Sequence, residues 1–249
     1  MSRGFYALTS GMLTQQRKID ISSNNVANLN TAGYKREQAV TSNFGSLLIN
    51  KYKQDGISKE AEPLGNVSVI RTVEESNTIH SQGTLEETGR SLDFAINGAG
   101  FFAMENNGDI FYTRNGSFNI DAEGYLYLQG AGRVQGEYGE IYLGTDNFEF
   151  QNGSITVDGE ETDRVAVYDF QDYNSLTKVR EGLYTSGEYP ELVEYPQISN
   201  QTIERSNVDV TKELTDIMSA QRSLQTAAQA FKIYDMLQDK AVTEIGKIN

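Results

Sequence analysis

Apolar and small residues recur at steps of three and four at both ends of the chain, the period of a helix with one apolar stripe. At the N-terminal end the positions are Phe5, Leu8, Met12, Gln15, Ile19, Ser22, Val26 and Leu29. At the C-terminal end they are Leu214, Ile217, Leu224, Ala228, Phe231, Val242 and Ile245, with Tyr234, Leu237 and Ala241 one step to the side. This pattern predicts one helix from a Ser2 cap to about Leu29, closed at Gly33. It predicts a second from about Val208 onward, capped by Ser206 with Asp209 or by Asp209 alone.

Each predicted helix has a single stripe, so the two are expected to pair as an α-helical coiled-coil domain. A lone pair of this size buries little apolar surface for the number of residues it orders. We therefore expect the termini to gain stability from neighbouring copies, so that ordering of the ends and polymerisation are coupled.

The middle of the chain has the pattern of short antiparallel strands. Apolar runs of four to seven residues between about Val67 and Thr202 alternate with glycine-containing turns, which is typical of a barrel or sandwich. Asn115-Gly116 predicts a two-residue hairpin, and Gly98-Ala99-Gly100 predicts a glycine hairpin. Between the first helix and this region the pattern decays, and it predicts an extended connection with little regular structure.

The predicted fold class is therefore α+β, with a central all-β domain between terminal helices. The predicted boundaries are 1–33 for the N-terminal helix, 34–66 for the connection, 67–205 for the β domain and 206–249 for the C-terminal helix.

The charge lies mainly in the middle of the chain. Residues 1–37 have five basic and two acidic side chains and residues 208–249 have five and six, so the net charge of −14 corresponds to −16 for residues 38–207. Such an acidic body argues against nucleic acid or anionic lipid as the main partner. The chain has no cysteine and no apolar run long enough to cross a bilayer, and no secretory signal is expected.

The motifs that resemble catalytic or ligand sites fail their chemical tests. Gly98-Ala99-Gly100 fits a dinucleotide fingerprint, but a strand pattern follows it where a helix N-terminus is needed. Asn119, Asp121, Glu123 and Gly124 match half of a calcium loop whose terminal glutamate is missing. His80 is the only histidine and the chain has no cysteine, so a zinc site of several imidazoles cannot be built. No catalytic, cofactor or metal residues are therefore predicted.

Three stretches resemble one family, the flagellar rod and hook proteins. The first is Asn24-Asn-Val-Ala-Asn-Leu-Asn-Thr-Ala-Gly-Tyr-Lys35; the second comprises 92–102, 112–118 and 124–126; the third includes 206–210, Glu213, Met218, 221–222 and 235–237. The N-terminal signature residues are Asn25, Ala27, Asn28, Thr31, Gly33, Tyr34 and Lys35.

The resemblance implies a non-enzymatic subunit of the flagellar axial tube. Its implied partners are copies of itself, other rod and hook proteins and the type III export apparatus, and its implied site is the basal body outside the cytoplasmic membrane. The resemblance favours a distal rod subunit over a proximal one, because the segment 44–65 is about as long as the extra loop of distal-rod proteins. The interface residues expected are Phe5, Leu8, Met12, Ile19, Val26, Leu29, Leu214, Ile217, Leu224, Ala228, Phe231, Leu237 and Ile245. Two other classes stay open: a surface polysaccharide-binding β module, and a hydrolase that uses two carboxylates.

Overall fold

The computed structural model describes residues 3–55, 58–145, 148–151, 153–157 and 159–245, and within these the side chains outside 3, 43–75 and 245. The chain divides into two compact units. Unit 1 consists of residues 1–26, 37–77 and 209–249, and unit 2 consists of residues 27–36 and 78–208.

The two long helices are α1, Arg3–Ala27, and α2, Val210–Ile245. Asp209 caps α2, because its Oδ1 accepts hydrogen bonds from the backbone N–H of Thr211 (2.9 Å) and Lys212 (3.2 Å). The predicted Ser2 cap lies outside the described residues. The α+β class, with terminal helices and a mostly β middle, is confirmed.

Unit 1 also contains a long strand pair. Strand β1, Glu37–Asp55, pairs with β2, Ser58–Thr78. The sequence prediction of a connection with little regular structure over 34–66 is wrong for these residues. Two strands of 19 and 21 residues satisfy each other's backbone groups by pairing, and this needs no regular alternation of apolar residues.

Unit 2 is built from sixteen short strands within the described residues. They are β3 (Leu85–Glu87), β4 (Phe94–Ile96), β5 (Phe101–Asn106), β6 (Asp109–Thr113), β7 (Asn119–Ile120), β8 (Leu126–Leu128), β9 (Gly132–Val134), β10 (Glu149–Gln151), β11 (Ser154–Val157), β12 (Glu160–Arg164), β13 (Val167–Asp169), β14 (Leu176–Arg180), β15 (Leu183–Ser186), β16 (Glu191–Leu192), β17 (Ile198–Asn200) and β18 (Thr202–Glu204).

The largest sheet runs in the order β14-β15-β6-β5-β9-β8-β7, and β13 joins it by pairing with both β5 and β16. A second sheet has the order β10-β11-β12, while β17 pairs with β4 and β18 pairs with β3. All of these pairings are antiparallel. The large sheet does not close on itself among the described strands, so a barrel is not observed.

Strand β5 separates two apolar clusters. Phe102 and Met104 point into the larger cluster, whereas Phe101 and Ala103 point into a smaller one. The two faces of the strand are therefore both buried, which explains its uninterrupted apolar run.

Both predicted glycine hairpins are wrong. Strand β4 pairs with β17 rather than with β5. Gly98-Ala99-Gly100 therefore connects two strands that are not paired with each other, and it is not a hairpin turn. After Asn115-Gly116, β7 pairs with β8 instead of returning along β6. Gly116 is needed for a close approach, because a Cβ there would lie 1.7 Å from the carbonyl oxygen of Phe94.

Candidate functional site

The predicted interface residues fall into two groups. Half-buried side chains are those of Phe5, Leu8, Met12, Ile19, Val26 and Leu29 in the N-terminal segment and Ile217, Leu224 and Phe231 in α2. Leu214, Ala228 and Leu237 are exposed, and the side chain of Ile245 lies outside the described set. The α2 positions therefore lie on two different faces of the helix.

The covered face of α2 follows an unbroken alternation of three and four residues. Its members are Val210, Glu213, Ile217, Ala220, Leu224, Ala227, Phe231 and Tyr234. Such spacing is that of one heptad seam.

The start of α1 contacts this face of α2. The rings of Phe5 and Phe231 have centroids 5.0 Å apart, and a Cβ on Gly4 would lie 3.7 Å from the ring of Tyr234. Helix α2 has 36 residues and α1 has 25. From Asp235 to Glu244 every residue of α2 is exposed.

A second set of large apolar side chains on α2 is exposed, and all of its members except Val242, which follows Phe231 by three turns, lie off the covered face. Its large side chains are Leu214, Met218, Ile233, Met236, Leu237 and Val242, which are between 47% and 72% exposed. A row of large apolar side chains in water is the usual mark of an interaction surface.

The end of α1 is tied to strand β1 by one amide side chain. Asn25 donates to the carbonyl oxygen of Glu37 at 2.8 Å and accepts from its N–H at 2.9 Å. Because Asn25 is fully buried, its amide takes the place of a backbone partner for Glu37. This signature residue therefore orders the backbone inside unit 1.

Unit 2 contains a buried cluster of three charges. Glu204 accepts from Lys35 Nζ at 2.5 Å and from the Gly83 N–H at 2.7 Å through Oε1, and from Arg114 Nη1 at 3.4 Å through Oε2. All three charged side chains are at most 4% exposed. Burial lowers the pKa of Lys35, an effect that Glu204 opposes and Arg114 increases. One carboxylate thus balances two buried cations.

His80 lies against this cluster in an aromatic cage. Its ring centroid is 5.6, 5.3 and 5.2 Å from those of Phe101, Tyr173 and Tyr184. Burial, with the charges of Lys35 and Arg114, lowers the pKa of His80 to about 4. Its Nδ1 has no hydrogen-bond partner among the described residues. The imidazole is therefore neutral at pH 7 and serves as a packed aromatic ring.

The backbone at Gly33 packs directly on the Arg114–Asn115 backbone. Gly33 has a φ of 68°, and a Cβ there would lie 2.3 Å from the carbonyl carbon of Arg114. Its N–H donates to the carbonyl oxygen of Glu204 at 2.7 Å. The predicted left-handed conformation is confirmed, and the close approach is a second reason for glycine.

Asn207 holds the same segments together from the C-terminal side. Its Oδ1 accepts from the Arg36 N–H at 2.7 Å, and its Nδ2 donates to the carbonyl oxygens of Ile79 (2.8 Å) and Ser81 (3.0 Å). Residues 33–36, 79–84, 114–115 and 204–207 therefore meet at one place in unit 2. We call this place the signature cluster, because each of the three resembling stretches contributes to it.

The remaining signature residues shape the exit from α1. Thr31 donates from its N–H to the carbonyl oxygen of Asn28 at 3.1 Å and from its hydroxyl to the Asn28 side chain at 3.2 Å. Tyr34 is buried, and Lys178 Nζ lies 5.5 Å from the centre of its ring. Ala27 is exposed.

Sequence reasoning missed Glu204 and the cage around His80. Lys35 and Glu204 are 169 positions apart, and no local pattern shows that a charged side chain is buried. The one available signal was Lys35, a lysine directly after Gly33-Tyr34 in a stretch whose other residues indicate the end of a helix.

In the part of the chain that the structure describes, no group of three or more His, Cys, Asp or Glu side chains is placed to hold a metal ion. Of the described helices, none combines the length and the apolar character that crossing a membrane requires.

Comparison with known proteins matches the same three stretches. Residues 5–35 match the flagella basal body rod protein family, 95–165 the flagellar hook protein FlgE/F/G D1 domain, and 199–244 the flagellar basal body rod FlgEFG protein C-terminal family. The flagellar basal-body rod protein FlgF of Caulobacter vibrioides is 31% identical over the full length of both chains. The chain belongs to the flagellar basal-body rod protein family.

Two further rod-family relatives have similar coverage. FlgG of Agrobacterium fabrum is 31% identical over 94% of this chain and 95% of its own length. The hook-basal body complex protein FlhO of Bacillus subtilis is 27% identical over the whole of both chains. FlgF and FlgG relatives match with equal identity, so identity does not assign this rod protein to either type.

Proposed function

We propose that this chain is a structural subunit of the flagellar basal-body rod that polymerises through its terminal helices into the axial tube. In that position it would transmit torque and enclose the export channel. The observation that carries the proposal is the exposed apolar set on α2, from Leu214 to Val242. A helix that keeps six large apolar side chains in water gains free energy when neighbouring copies cover them.

The terminal helices would pair within one subunit as an antiparallel coiled coil. Phe5 against Phe231 and Gly4 beside Tyr234 support this pairing, as does the alternation of three and four residues on the covered face of α2. Helix α2 exceeds α1 by eleven residues (36 against 25), or about 16 Å at 1.5 Å per residue. A neighbouring subunit would cover this overhang.

The structural role needs no catalytic residue and no cofactor. The signature cluster has the character of a packing device, because its three charged side chains are buried and paired with one another rather than presented to a ligand. Within the rod we propose the distal section, on the length of the segment 44–65, with the proximal section as the alternative. The protein would leave the cytoplasm through the flagellar export apparatus to join other rod and hook proteins.

The rod position is tested by deleting the gene from its parent bacterium. Basal bodies from the deletion strain should retain a short proximal rod if the subunit is distal. Basal bodies with no rod beyond the membrane ring would assign the subunit to the proximal section.

Assembly is tested by electron microscopy of the purified chain at high concentration. We expect tubes from the wild type and none from Leu237→Asp, because Leu237 is 60% exposed and a charge there opposes burial in a contact. Gln225→Asp, which places the same charge on an exposed polar position of α2, should still form tubes. If Leu237→Asp assembles at the wild-type yield, the exposed apolar set is not the interface.

A further inference from the structure

Unit 2 has an open groove away from the signature cluster. Two adjoining cavities of about 290 and 440 Å³ share the lining residues Arg164, Glu194, Tyr195 and Pro196. The first cavity extends to Glu137 and Ala166, and the second to Gln197 and Ile198. These volumes are near the lower end of the ~300–1,000 Å³ typical of small-ligand pockets.

The groove exists because the chain leaves the sheet for three residues. Val193 donates its N–H to the carbonyl oxygen of Val167 at 2.9 Å, and Gln197 accepts from the N–H of Asn97 at 2.7 Å. Between these two bonds, residues 194–196 make no ladder contact to the neighbouring strands, and Pro196 has no N–H to donate. The segment therefore stands away from the end of β12 and leaves an open channel.

The charged side chains of this channel are not used by the fold. The guanidinium of Arg164 and the carboxylates of Glu137 and Glu194 make no hydrogen bond or ion pair with any residue that the structure describes. The side chains of Arg164 and Pro196 both lie near Gly153, because a Cβ there would be 3.8 Å from Arg164 Cγ and 4.0 Å from Pro196 Cγ. A guanidinium with no protein partner is a donor available to a ligand.

An aromatic ring completes the groove. Tyr195 is 81% exposed, so both the ring and the hydroxyl are open to water. Exposed tyrosine is a common ligand platform, because the ring offers apolar area and the hydroxyl a hydrogen bond.

We propose that this groove binds a neutral oligosaccharide, with Tyr195 stacked on a sugar ring and Arg164, Glu137 and Glu194 hydrogen-bonded to its hydroxyl groups. Both donors and acceptors are present, as a hydroxyl-rich ligand requires. One cation and two carboxylates, within the segment 38–207 of net charge −16, disfavour a polyanion. A cationic peptide is the competing ligand, and the experiment below includes one. The proposal does not depend on rod assembly, so either can fail without the other.

Isothermal titration of the full chain with chitotetraose, cellotetraose and maltotetraose tests this proposal. We expect at least one of the three to bind with a dissociation constant on the order of 1 mM. Tyr195→Ala should weaken that binding about tenfold, and Arg164→Gln should also weaken it. Tyr189→Ala is the matched control, because Tyr189 is 99% exposed and does not line the groove. Its affinity should stay within about twofold of wild type.

Three results would overturn the proposal. The first is no binding of any of the three sugars up to about ten times the expected dissociation constant. The second is equal weakening by Tyr195→Ala and Tyr189→Ala. The third is tighter binding of tetralysine than of all three sugars, lost in Tyr195→Ala. Because the altered side chains lie at the surface, unchanged urea midpoints should show that each variant is folded.

Discussion

The two units differ in what they bury. Unit 2 has two apolar clusters whose buried members are at most 8% exposed, and in the larger cluster Phe94, Phe102 and Val134 have no exposed surface. In the described parts of α1 and α2, by contrast, Ala220 is the only buried apolar residue, and the other buried helix residues, Thr14, Ser22, Asn25 and Glu213, are polar or charged.

This difference indicates where each unit obtains its stability. Burial of large apolar side chains is the main favourable contribution to folding, and unit 2 has it within its own residues. The helices of unit 1 keep their large side chains half-covered or exposed. We therefore infer that unit 2 folds by itself and that the helices complete their burial in the assembled rod.

The largest effect should come from removing the buried carboxylate of unit 2. Glu204→Gln leaves Lys35 and Arg114 buried without a counter-charge and should lower the free energy of unfolding by about 3–5 kcal/mol. Urea unfolding followed by near-ultraviolet circular dichroism measures this change.

The matched control alters the neighbouring exposed ion pair. Arg205→Gln removes the contact with Glu86, where both side chains are more than 40% exposed, and should cost at most about 1 kcal/mol. Equal losses in the two variants would mean that the signature cluster does not stabilise unit 2.

A somewhat smaller effect should follow from pH. His80 has a folded pKa of about 4, against 6.5 in the unfolded chain, so the unfolded state binds its proton first. Stability is therefore intact above pH 6.5 and falls by about 3 kcal/mol as the pH drops to about 4. The stability difference between wild type and His80→Phe, followed from pH 7 to pH 4, isolates this contribution. A difference that does not change with pH would show that His80 is not held neutral.

The smallest effect should come from removing the cap at the start of α2, a change that should affect assembly but not the stability of unit 2. Asp209→Ala removes a cap worth about 1 kcal/mol, which should raise the critical concentration for tube formation about fivefold. Unfolding of unit 2 should not change. Asp216→Ala, an exposed acid in the same helix, is the control and should leave the critical concentration unaltered. A lowered urea midpoint for unit 2 in Asp209→Ala would contradict the assignment of α2 to a separate unit.

The helices and their cap could be predicted because they depend on local spacing. One apolar stripe and an aspartate before it were enough to place α2 within a few residues. Which face of α2 is covered was harder to predict. Helix α2 has apolar side chains on two sides, so the exposed Leu214 and Leu237 fitted the three-and-four spacing of a helix as well as the half-buried Ile217 and Phe231 did.

The errors in unit 2 arise from contacts between distant residues. Of the four Asn-Gly pairs in the chain, the pair at 107–108 lies in the hairpin turn between β5 and β6, with Asn106 opposite Asp109, whereas the pair at 115–116 does not form a hairpin turn. The second is used for the approach of Gly116 to Phe94. The two dipeptides are locally equivalent, so the sequence could not assign them, just as it could not pair Lys35 with Glu204.

Hydrogen–deuterium exchange of the dilute monomer tests the contrast between the units most directly. Amides of unit 2 should exchange slowly, whereas those of 3–27 and 210–245 should exchange within seconds and become protected only when tubes form. Slow exchange throughout both helices, in a chain that sedimentation shows to be monomeric, would contradict the inference that assembly completes their burial.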